Sequence, residues 1–441
     1  MMALGKRRSR LVLAAFLLTT ACGSDASAPP PADDEPDSDG ISDDASAPPT
    51  SSDDAAAPIP TPIRYVMVLV KENHTFDNYF TGFPGAATTT TAKLSTGKTI
   101  TRTVAPSGPL SKDLCHSNSC GQTAYRSGAM DGFDLTGAGA ALPFVYYTEK
   151  QIPNYWQYAR NFVLADHFFS TTLGPSTPGH AVFWNAQSLV LNNAKCNNPD
   201  GGTCSGFGCK ADKNVSVTSY DPDNCTTKTV APCFDVPTIV DHLPQGFTWA
   251  DYGGALALMT KSVAADPGYA AHFRKQGDLV SDLGAGRIAN LTIAHLWSGD
   301  VSEHPTAYPC AGENFTVEIV NAAMKLPQWN EMAIVVTWDD WGGFYDHVAP
   351  TVHKCANGNI FQEGFRLPAI VISPYAKKGY VLSTRTEQAS VPRLVEELWG
   401  MDFMTSRDPH ARDGTAGSLL GAFDFTQAPR TPLLLSTHAC P

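Results

Sequence analysis

Residues 66–73 read VMVLVKEN, five apolar residues that end abruptly in a basic, an acidic and an amide side chain. Short continuous apolar runs are typical of strands that are buried on both faces of a parallel sheet. Open α/β sheets bind ligands at the carboxyl edge of their strands, where Glu72 and Asn73 would lie. Because carboxylate and amide oxygens suit a metal ion, this stretch predicts a ligand site on an α/β sheet.

Further strands and helices alternate along the chain. Apolar runs bounded by turn residues predict strands at Arg64–Val70, Phe162–Phe169, Leu291–Ala294, Ala333–Trp338 and Leu367–Ser373. Helical spacing over Val317–Leu326 and Ser390–Trp399 predicts two helices, the second with Ser390 as N-cap. This alternation predicts an α/β fold, a mainly parallel sheet with helices on both faces.

The first 22 residues have the features of an export signal. Basic residues at positions 6–10 precede an apolar segment, Leu11–Ala21, that is too short to span a bilayer comfortably. The segment ends at Ala21-Cys22, which is similar to a bacterial lipoprotein box; the alternative is an ordinary secretory signal with an incidental cysteine. We therefore expect export, either to the cell envelope through a lipid anchor at Cys22 or as a secreted or periplasmic protein.

Residues 23–62 are rich in Asp, Ser, Ala and Pro, with ten acids and no Lys or Arg, which predicts a disordered tether. The formal charge of −12 divides into +4 in the signal, −10 in the tether and −6 in the remainder. The folded part is thus only mildly acidic, and no basic stripe indicates nucleic-acid binding. We expect residues 63–441 to form one folded domain and the protein to be a monomer.

Cysteine usage fits export. Ten of the 11 cysteines follow Cys22, and an even number in an oxidising compartment predicts up to five disulfides. Five lie within residues 196–233, so at least one of them would pair outside that segment. A zinc site is the rival interpretation, but the spacings match no zinc finger or ribbon. The ten are Cys115, Cys120, Cys196, Cys204, Cys209, Cys225, Cys233, Cys310, Cys355 and Cys440.

Asp339 and Asp340 directly follow a predicted strand. Two adjacent carboxylates repel each other unless a cation lies beside them. Together with Glu72 and Asn73 they would form an oxygen-rich ligand set for a divalent ion. A solvated loop pair is the alternative, but the glycines at 342–343 indicate close backbone approach and favour a site.

Ser176 lies in residues 174–180, GPSTPGH, after a predicted strand and at the start of a predicted helix. A helix N-terminus would stabilise its alkoxide and an incoming phosphate, and a metal ion would lower the pKa of its hydroxyl. Ser176 is therefore a candidate nucleophile and metal contact. The alternatives are an N-cap role for this serine and Thr177 as the nucleophile.

Four histidines lie near these motifs. His116 and His304 are candidates to bind phosphate oxygens or to protonate a leaving alkoxide. His180, which follows the candidate serine, and His347 are candidates for substrate binding. A single histidine in a loop is usually a surface residue, so the interpretation depends on their position beside the other motifs.

The motifs together resemble the bacterial phosphoesterase family that contains phosphatidylcholine-type phospholipases C and secreted acid phosphatases. The similarity covers residue 63 to about 425 and is highly specific, because long motifs recur in order. They are KENHTFDNYF (71–80), DLCH (113–116), MDGF (130–133), ADHFF (165–169), GPSTP (174–178), EHP (303–305), TWDDWGGFYDHV (337–348), GFRLP (364–368) and PYA (374–376).

The resemblance implies an alkaline-phosphatase-type fold, a three-layer sandwich with loop insertions. It implies Ser176 as nucleophile, His116 and His304 at the phosphate or leaving group, and a metal held by Glu72, Asn73, Ser176, Asp339 and Asp340. The chain departs from the family where Asp340-Trp341 replaces Glu-His, where Ser176 replaces the Thr of the phospholipase branch, and where Gly179-His180 replaces its Asn-Arg. These departures affect the expected substrate class more than the reaction type.

The sequence thus predicts metal-dependent hydrolysis of phosphoric esters through a serine nucleophile, of the acid phosphatase or phospholipase C type. The substrate would be a small phosphoester or a phospholipid. Oxygen ligands suit calcium, magnesium or manganese, and histidine participation would admit zinc or iron. The alternative is a non-catalytic cell-surface protein that binds a phosphorylated ligand in the same metal pocket. A sulfatase is disfavoured, because the required Cys/Ser-x-Pro-x-Arg motif lacks its Arg at position 180.

Overall fold

An eight-stranded sheet organises the part of the chain that the computed structural model describes, residues 61–198, 203–354 and 360–441. The predicted signal, Cys22 and nearly all of the predicted tether lie outside these ranges. The strands are β1 (Tyr65–Lys71), β2 (Val163–Ala165), β3 (Trp249–Tyr252), β4 (Phe273–Arg274), β5 (Leu291–His295), β6 (Met332–Trp338), β7 (Ala369–Ile372) and β8 (Tyr380–Leu382).

The strand order is β4-β3-β5-β1-β6-β7-β2-β8. Neighbouring strands are parallel except at β7, which is antiparallel to both β6 and β2. All of β6 and all but the first residue of β1 are buried, so both faces of the sheet are covered. The predicted mainly parallel α/β fold is confirmed.

Eight α-helices occur in the described ranges: α1 (Phe76–Phe80), α2 (Asn118–Tyr125), α3 (Pro153–Asn161), α4 (Ser176–Asn185), α5 (Lys261–Ala265), α6 (Leu279–Gly284), α7 (Cys310–Met324) and α8 (Ser390–Trp399). Helix α7 packs against α3 and α6, and α4 packs against α8. Within the same ranges, no helix has the length and apolar character needed to cross a membrane.

Short strands outside the central sheet form small pairs and one three-stranded sheet. They are Thr91–Lys93, Thr99–Thr101, Thr103–Val104, Val145–Tyr146, Phe168–Phe169, Lys195–Cys196, Val215–Tyr220, Thr227–Val230, His353–Lys354, Ile360–Gln362 and Thr386–Glu387. Single 3-10 turns connect many elements. They are Arg126–Gly128, Phe133–Leu135, Leu142–Phe144, Gly208–Lys210, Ile239–His242, Leu256–Met259, Tyr269–His272, Gln276–Asp278, Gly299–Ser302, Pro327–Glu331, Met404–Ser406 and Leu419–Ala422.

Several local predictions need correction. The predicted strand Phe162–Phe169 is two strands, because residues 166–167 form a turn between them. Strand β7 runs antiparallel to β6. Its amino end, and not its carboxyl end, therefore lies at the edge of the sheet where β1 and β6 end. Ser390 is the first residue of α8 and not its N-cap; its hydroxyl accepts from the amide of Glu387 at 2.9 Å.

Disulfides account for the cysteines that the structure describes. Within the cysteine-rich segment, Cys196 bonds to Cys204 and Cys209 bonds to Cys233. Cys225 is also disulfide-bonded. Outside the segment, the bonds are Cys115–Cys120 and Cys310–Cys440. The disulfide interpretation is confirmed over the zinc site for these residues; Cys355 lies outside the described ranges.

Candidate functional site

The carboxyl ends of β1 and β6 lie side by side at one edge of the sheet. Lys71 pairs in register with Trp338, and the amide of Asp339 donates to the carbonyl of Lys71 at 2.9 Å. Because the two strands are parallel, the residues that follow them emerge at the same edge. The structure therefore brings residues 72–73 and 339–340 together.

The amide of Asn73 lies at the centre of this group. Its Nδ2 lies within hydrogen-bond distance of four oxygens, although it has only two hydrogens to donate: both carboxylate oxygens of Asp339 at 3.0 Å, Oδ2 of Asp340 at 2.6 Å and Oγ of Ser176 at 3.1 Å. Its Oδ1 is buried and has no hydrogen-bond partner in the described part of the chain. Rotating the amide would direct Oδ1 at the carboxylates, which is favourable only with a cation between them. The orphaned oxygen and the oxygen-rich surroundings fit a divalent cation.

Three carboxyl groups share this buried edge. Glu72 is 5% exposed, Asp339 0% and Asp340 1%. Burial, and then the charges of Asp340 and Glu72, raise the pKa of Asp339 well above its ordinary range. Burial also raises the pKa of Asp340, although His116 opposes the shift. A bound cation would remove the repulsion that this arrangement creates.

Ser176 is the first residue of α4 and the partly exposed member of the group. Its hydroxyl donates to Oδ2 of Asp340 at 3.3 Å. Two glycines permit the close approach of the elements: a Cβ on Gly179 would lie 2.0 Å from the carbonyl oxygen of Asp339, and one on Gly342 would lie 2.0 Å from that of Asn73. The helix thus presents a reachable hydroxyl directly beside the carboxylates.

His116 and His304 lie together, with ring centroids 5.7 Å apart. Nδ1 of His116 contacts the carbonyl of Leu114 at 2.7 Å, and Nδ1 of His304 contacts the carbonyl of Pro305 at 2.5 Å. Because a carbonyl only accepts, both Nδ1 atoms carry a proton, and Nε2 is the nitrogen left for a ligand. Burial opposes charge on His116, but the carboxylates of Asp340 and Asp113 outweigh it and raise its pKa.

His180 and His347 occupy different surroundings. The side chain of His180 is fully buried, and its Nε2 lies 3.4 Å from both Oε1 of Glu72 and Oδ2 of Asp339. Nδ1 of His347 bonds instead to Asp77 at 2.6 Å, in a cluster where Arg366 also pairs with Asp77. The structure therefore places His180 beside the candidate ligands, and it places the partly exposed His347 beside the buried charges of Asp77 and Arg366.

Groups of acidic and histidine side chains that could hold a metal ion include Glu72 with His180 and Asp339, and Asp113 with His116 and His304. A third group, Asp77 with Asp346 and His347, already contains a guanidinium: Arg366 donates to Asp346 at 2.8 Å. Because the guanidinium of Arg366 already neutralises these carboxylates, the third group is unsuited to a metal ion.

Glu303 forms a buried hydrogen-bond network that the sequence interpretation missed. Its Oε2 accepts from the hydroxyl of Tyr79 at 2.8 Å and from the indole of Trp338 at 3.2 Å, and its Oε1 accepts from the hydroxyl of Tyr155. Oε1 also pairs with Nζ of Lys71 at 3.1 Å, and neither side chain is exposed. Glu303 thus connects the last residues of β1 and β6, which directly precede Glu72 and Asp339.

Lys71 and Glu303 are best described as an ion pair. Burial lowers the pKa of Lys71 and raises that of Glu303, which disfavours both charges. All three protons of the ammonium nevertheless have acceptors, since Nζ also donates to the carbonyls of Val301 at 2.6 Å and Gly312 at 3.1 Å. A lysine at the end of a buried strand requires an acidic partner, so the sequence indicates that such a partner exists, but only the fold identifies it as Glu303.

The amino-acid sequence of this chain is similar to those of several known proteins. The sequence model of the phosphoesterase family matches residues 63–402. Non-specific phospholipase C1 of Arabidopsis thaliana is 31% identical over 49% of this chain and 45% of its own length. Non-specific phospholipase C6 of the same plant is 24% identical over 80% of this chain and 71% of its own. Phospholipase C A of Mycobacterium tuberculosis is 25% identical over 85% of this chain and 80% of its own.

One solved structure shows a distant likeness to this chain. A protein of the alkaline phosphatase superfamily from Vibrio parahaemolyticus superposes with a TM-score of 0.35 and 11% identity, over 80% of this chain and 70% of that one. A TM-score this low adds nothing to what the sheet itself shows. The sequence match confirms the predicted class of enzyme, one that hydrolyses phosphoric esters. Since the family model spans most of the chain, this protein belongs to the phosphoesterase family.

Proposed function

We propose that this protein is a metal-dependent phosphoesterase in which Ser176 is the nucleophile. One observation carries the proposal: the partly exposed hydroxyl of Ser176, at the start of a ten-residue helix, contacts Asn73 and Asp340 at the edge of a buried carboxylate cluster. A hydroxyl in this position meets negative charge unless a cation is bound there. The side chains suited to hold that cation are those of Glu72, Asn73, Asp339, Asp340 and Ser176.

In the proposed reaction, the hydroxyl of Ser176 gives its proton to Oδ2 of Asp340, its hydrogen-bond acceptor, and Oγ attacks phosphorus while the bond from phosphorus to the ester oxygen breaks. His116 or His304 gives a proton to the leaving alkoxide, and the N-terminus of α4 stabilises charge on the phosphoryl oxygens. Water then attacks the phosphoserine, which releases phosphate or a phosphorylated headgroup and restores the hydroxyl. A divalent cation would lower the pKa of the attacking hydroxyl and offset the negative charge.

The substrate is a phosphoric ester of one of two classes. The relatives named phospholipase C support a phospholipid diester. The sequence, which has no long apolar or basic amphipathic segment, instead supports a soluble ester, and Ser176 and Gly179-His180 are departures from the phospholipase branch. Rates on 4-nitrophenyl phosphate and on phosphatidylcholine vesicles, measured with Mg²⁺, Ca²⁺, Mn²⁺ and Zn²⁺, distinguish the classes.

The decisive variant is Ser176→Ala. It should keep its fold and lose at least about a thousandfold in turnover, because the covalent step is removed. Thr177→Ala is the matched control: Thr177 is the next residue of the helix and is buried, so its loss should leave turnover close to wild type. If Thr177→Ala is the inactive variant, the nucleophile is misassigned. If the wild type hydrolyses no phosphoester with any of the four ions, the non-catalytic binding alternative is favoured.

We also propose that the protein is exported and held at the cell envelope through Cys22. The disulfides in the described part of the chain support an oxidising compartment. A Cys22→Ser variant of the full chain should move from the membrane fraction to the soluble fraction. An unchanged distribution would contradict the anchor and would favour an ordinary secretory signal.

A further inference from the structure

A row of buried side chains leads from the carboxylate cluster into the core. Nε2 of His180 lies within hydrogen-bond distance of Oε1 of Glu72, and Nδ1 of His180 faces Nδ1 of His295 at 2.9 Å. His295 is the last residue of β5, next to β1. On its other side, the indole Nε1 of Trp184 donates to Nε2 of His295 at 3.2 Å. The side chains of His180 and His295 are both fully buried.

The indole fixes the direction of every proton in this row. Trp184 can only donate, so Nε2 of His295 must accept and carries no hydrogen. An imidazole keeps at least one proton, so that of His295 is on Nδ1 and is donated to Nδ1 of His180. Nδ1 of His180 therefore accepts, and the proton of His180 is on Nε2, directed at Glu72.

Among the described residues, no other donor or acceptor lies within hydrogen-bond distance of the ring nitrogens of His295. Asp251 is the acidic group nearest His295, but its Oδ1 lies 3.9 Å from Nε2 of His295 and accepts instead from the amides of Gly254 and Ala255. Trp297 packs against both imidazoles, and its indole nitrogen donates to the carbonyl of Gly253. Burial keeps His295 neutral by lowering its pKa.

A histidine with its Nε2 protonated cannot bind a metal through that nitrogen. His180 is close enough to Glu72 and Asp339 to complete a three-residue metal group, yet the lone pair that would bind the ion faces His295. We propose that the Trp184–His295–His180 row makes His180 a hydrogen-bond donor to the metal-site carboxylates and leaves an all-oxygen ligand set. Such a set suits a hard divalent cation such as Mg²⁺, Ca²⁺ or Mn²⁺ over zinc. The preference for a hard cation rests on the proposed metal site.

The proton positions can be measured directly. Imidazole ¹⁵N spectra of the labelled wild-type protein, recorded with and without Mg²⁺, distinguish protonated from unprotonated ring nitrogens. The signals are assigned by their loss in His180→Gln and His295→Gln. We expect a proton on Nε2 of His180 and on Nδ1 of His295. A proton on Nδ1 of His180 in either sample would overturn the proposal, whether or not the enzyme is active.

The cation preference is tested with Trp184→Phe, which removes the donor that fixes the row. His180 can then present its Nε2 lone pair, and the ratio of Zn²⁺ to Mg²⁺ affinity should rise about tenfold, as for other changes in the outer shell of a metal site. The ratio is used because zinc binds most sites more tightly than magnesium.

Trp297→Phe is the matched control, since it removes an indole that contacts His180 but lies outside the row; its ratio should stay at the wild-type value. Equal ratios in the two variants, measured by calorimetry, would overturn the role in cation selection. If the wild type binds no divalent cation, the proposed metal site and the cation selection are both wrong, and the ¹⁵N spectra still decide the proton direction. Those spectra also need no variant at Trp184, should Trp184→Phe fail to fold.

Discussion

Glu303→Gln should destabilise the protein by about 3–5 kcal/mol, the usual cost of breaking a buried ion pair by removing one charge. Glu303 is completely buried, and it accepts from Lys71, Tyr79, Tyr155 and Trp338. A glutamine fits the space but replaces one accepting oxygen with an NH₂ group. At least one of the four donors then loses its partner, and Lys71 loses its counter-charge.

Glu303→Gln should also weaken metal binding, because Glu303 positions the residues that precede the candidate metal ligands. Glu303 holds Lys71 and Trp338, and each of these directly precedes a candidate metal ligand. We expect the affinity for Mg²⁺ to fall by about 10–100-fold, as for other outer-shell changes. Urea unfolding measures the stability loss, and calorimetry measures Mg²⁺ binding on the folded variant.

Glu318→Gln is the matched control, because Glu318 is an exposed glutamate on α7. Its stability should stay within about 0.5 kcal/mol of wild type. A loss below about 1 kcal/mol in Glu303→Gln would show that the network carries little energy. Wild-type Mg²⁺ affinity in a clearly destabilised Glu303→Gln would refute the positioning argument and leave Glu303 a purely structural role.

Other predictions concern pH, disulfides and metal removal. Burial raises the pKa of Glu396 to about 10; since the folded-state pKa is raised, the contribution of Glu396 to stability should be greatest at acid pH and fall by up to about 1.4 kcal/mol per unit toward pH 10. Glu396→Gln should flatten that slope in urea titrations from pH 5 to 9, and a slope unchanged by it would contradict the buried neutral acid. The bond Cys310–Cys440 spans 130 residues and Cys115–Cys120 spans five, so replacing each pair by alanine should cost about 5 and about 2 kcal/mol in the chain-entropy account; equal losses would contradict it. Chelation with EDTA should abolish turnover and a divalent cation should restore it, whereas activity that survives exhaustive chelation would argue against a metal.

Much of the site was visible in the sequence because the signal is local. A buried parallel strand reads as a continuous apolar run, and a ligand at its end reads as an abrupt polar residue. Glu72 and Asn73 after β1, and Asp339 and Asp340 after β6, follow this rule, and the structure brings them together. The same rule, carried one residue further along β5, would have found His295.

Other features depend on contacts between distant parts of the chain. The antiparallel direction of β7 cannot be predicted from its four apolar residues, because the same residues would be buried in either direction. His347 belongs to the same motif, residues 337–348, as Asp339 and Asp340. The fold nevertheless pairs it with Asp77, which also pairs with Arg366. The sequence predicts that His180 binds substrate, and only the fold shows that its side chain is buried against Glu72.

The sequence by itself determined the class of fold, the family and the residue types gathered at the sheet edge, including Glu72-Asn73 and Asp339-Asp340. Apolar periodicity and short motifs are properties of neighbouring residues and need no partner to be recognised. Only the tertiary structure decided that Glu303 connects the two strand ends and that Trp184 sets the protons of His295 and His180. A hydrogen bond has a direction only once its donor and acceptor are both in place. Here Trp338 and Glu303 are 35 residues apart in sequence, and Trp184 and His295 are 111 residues apart.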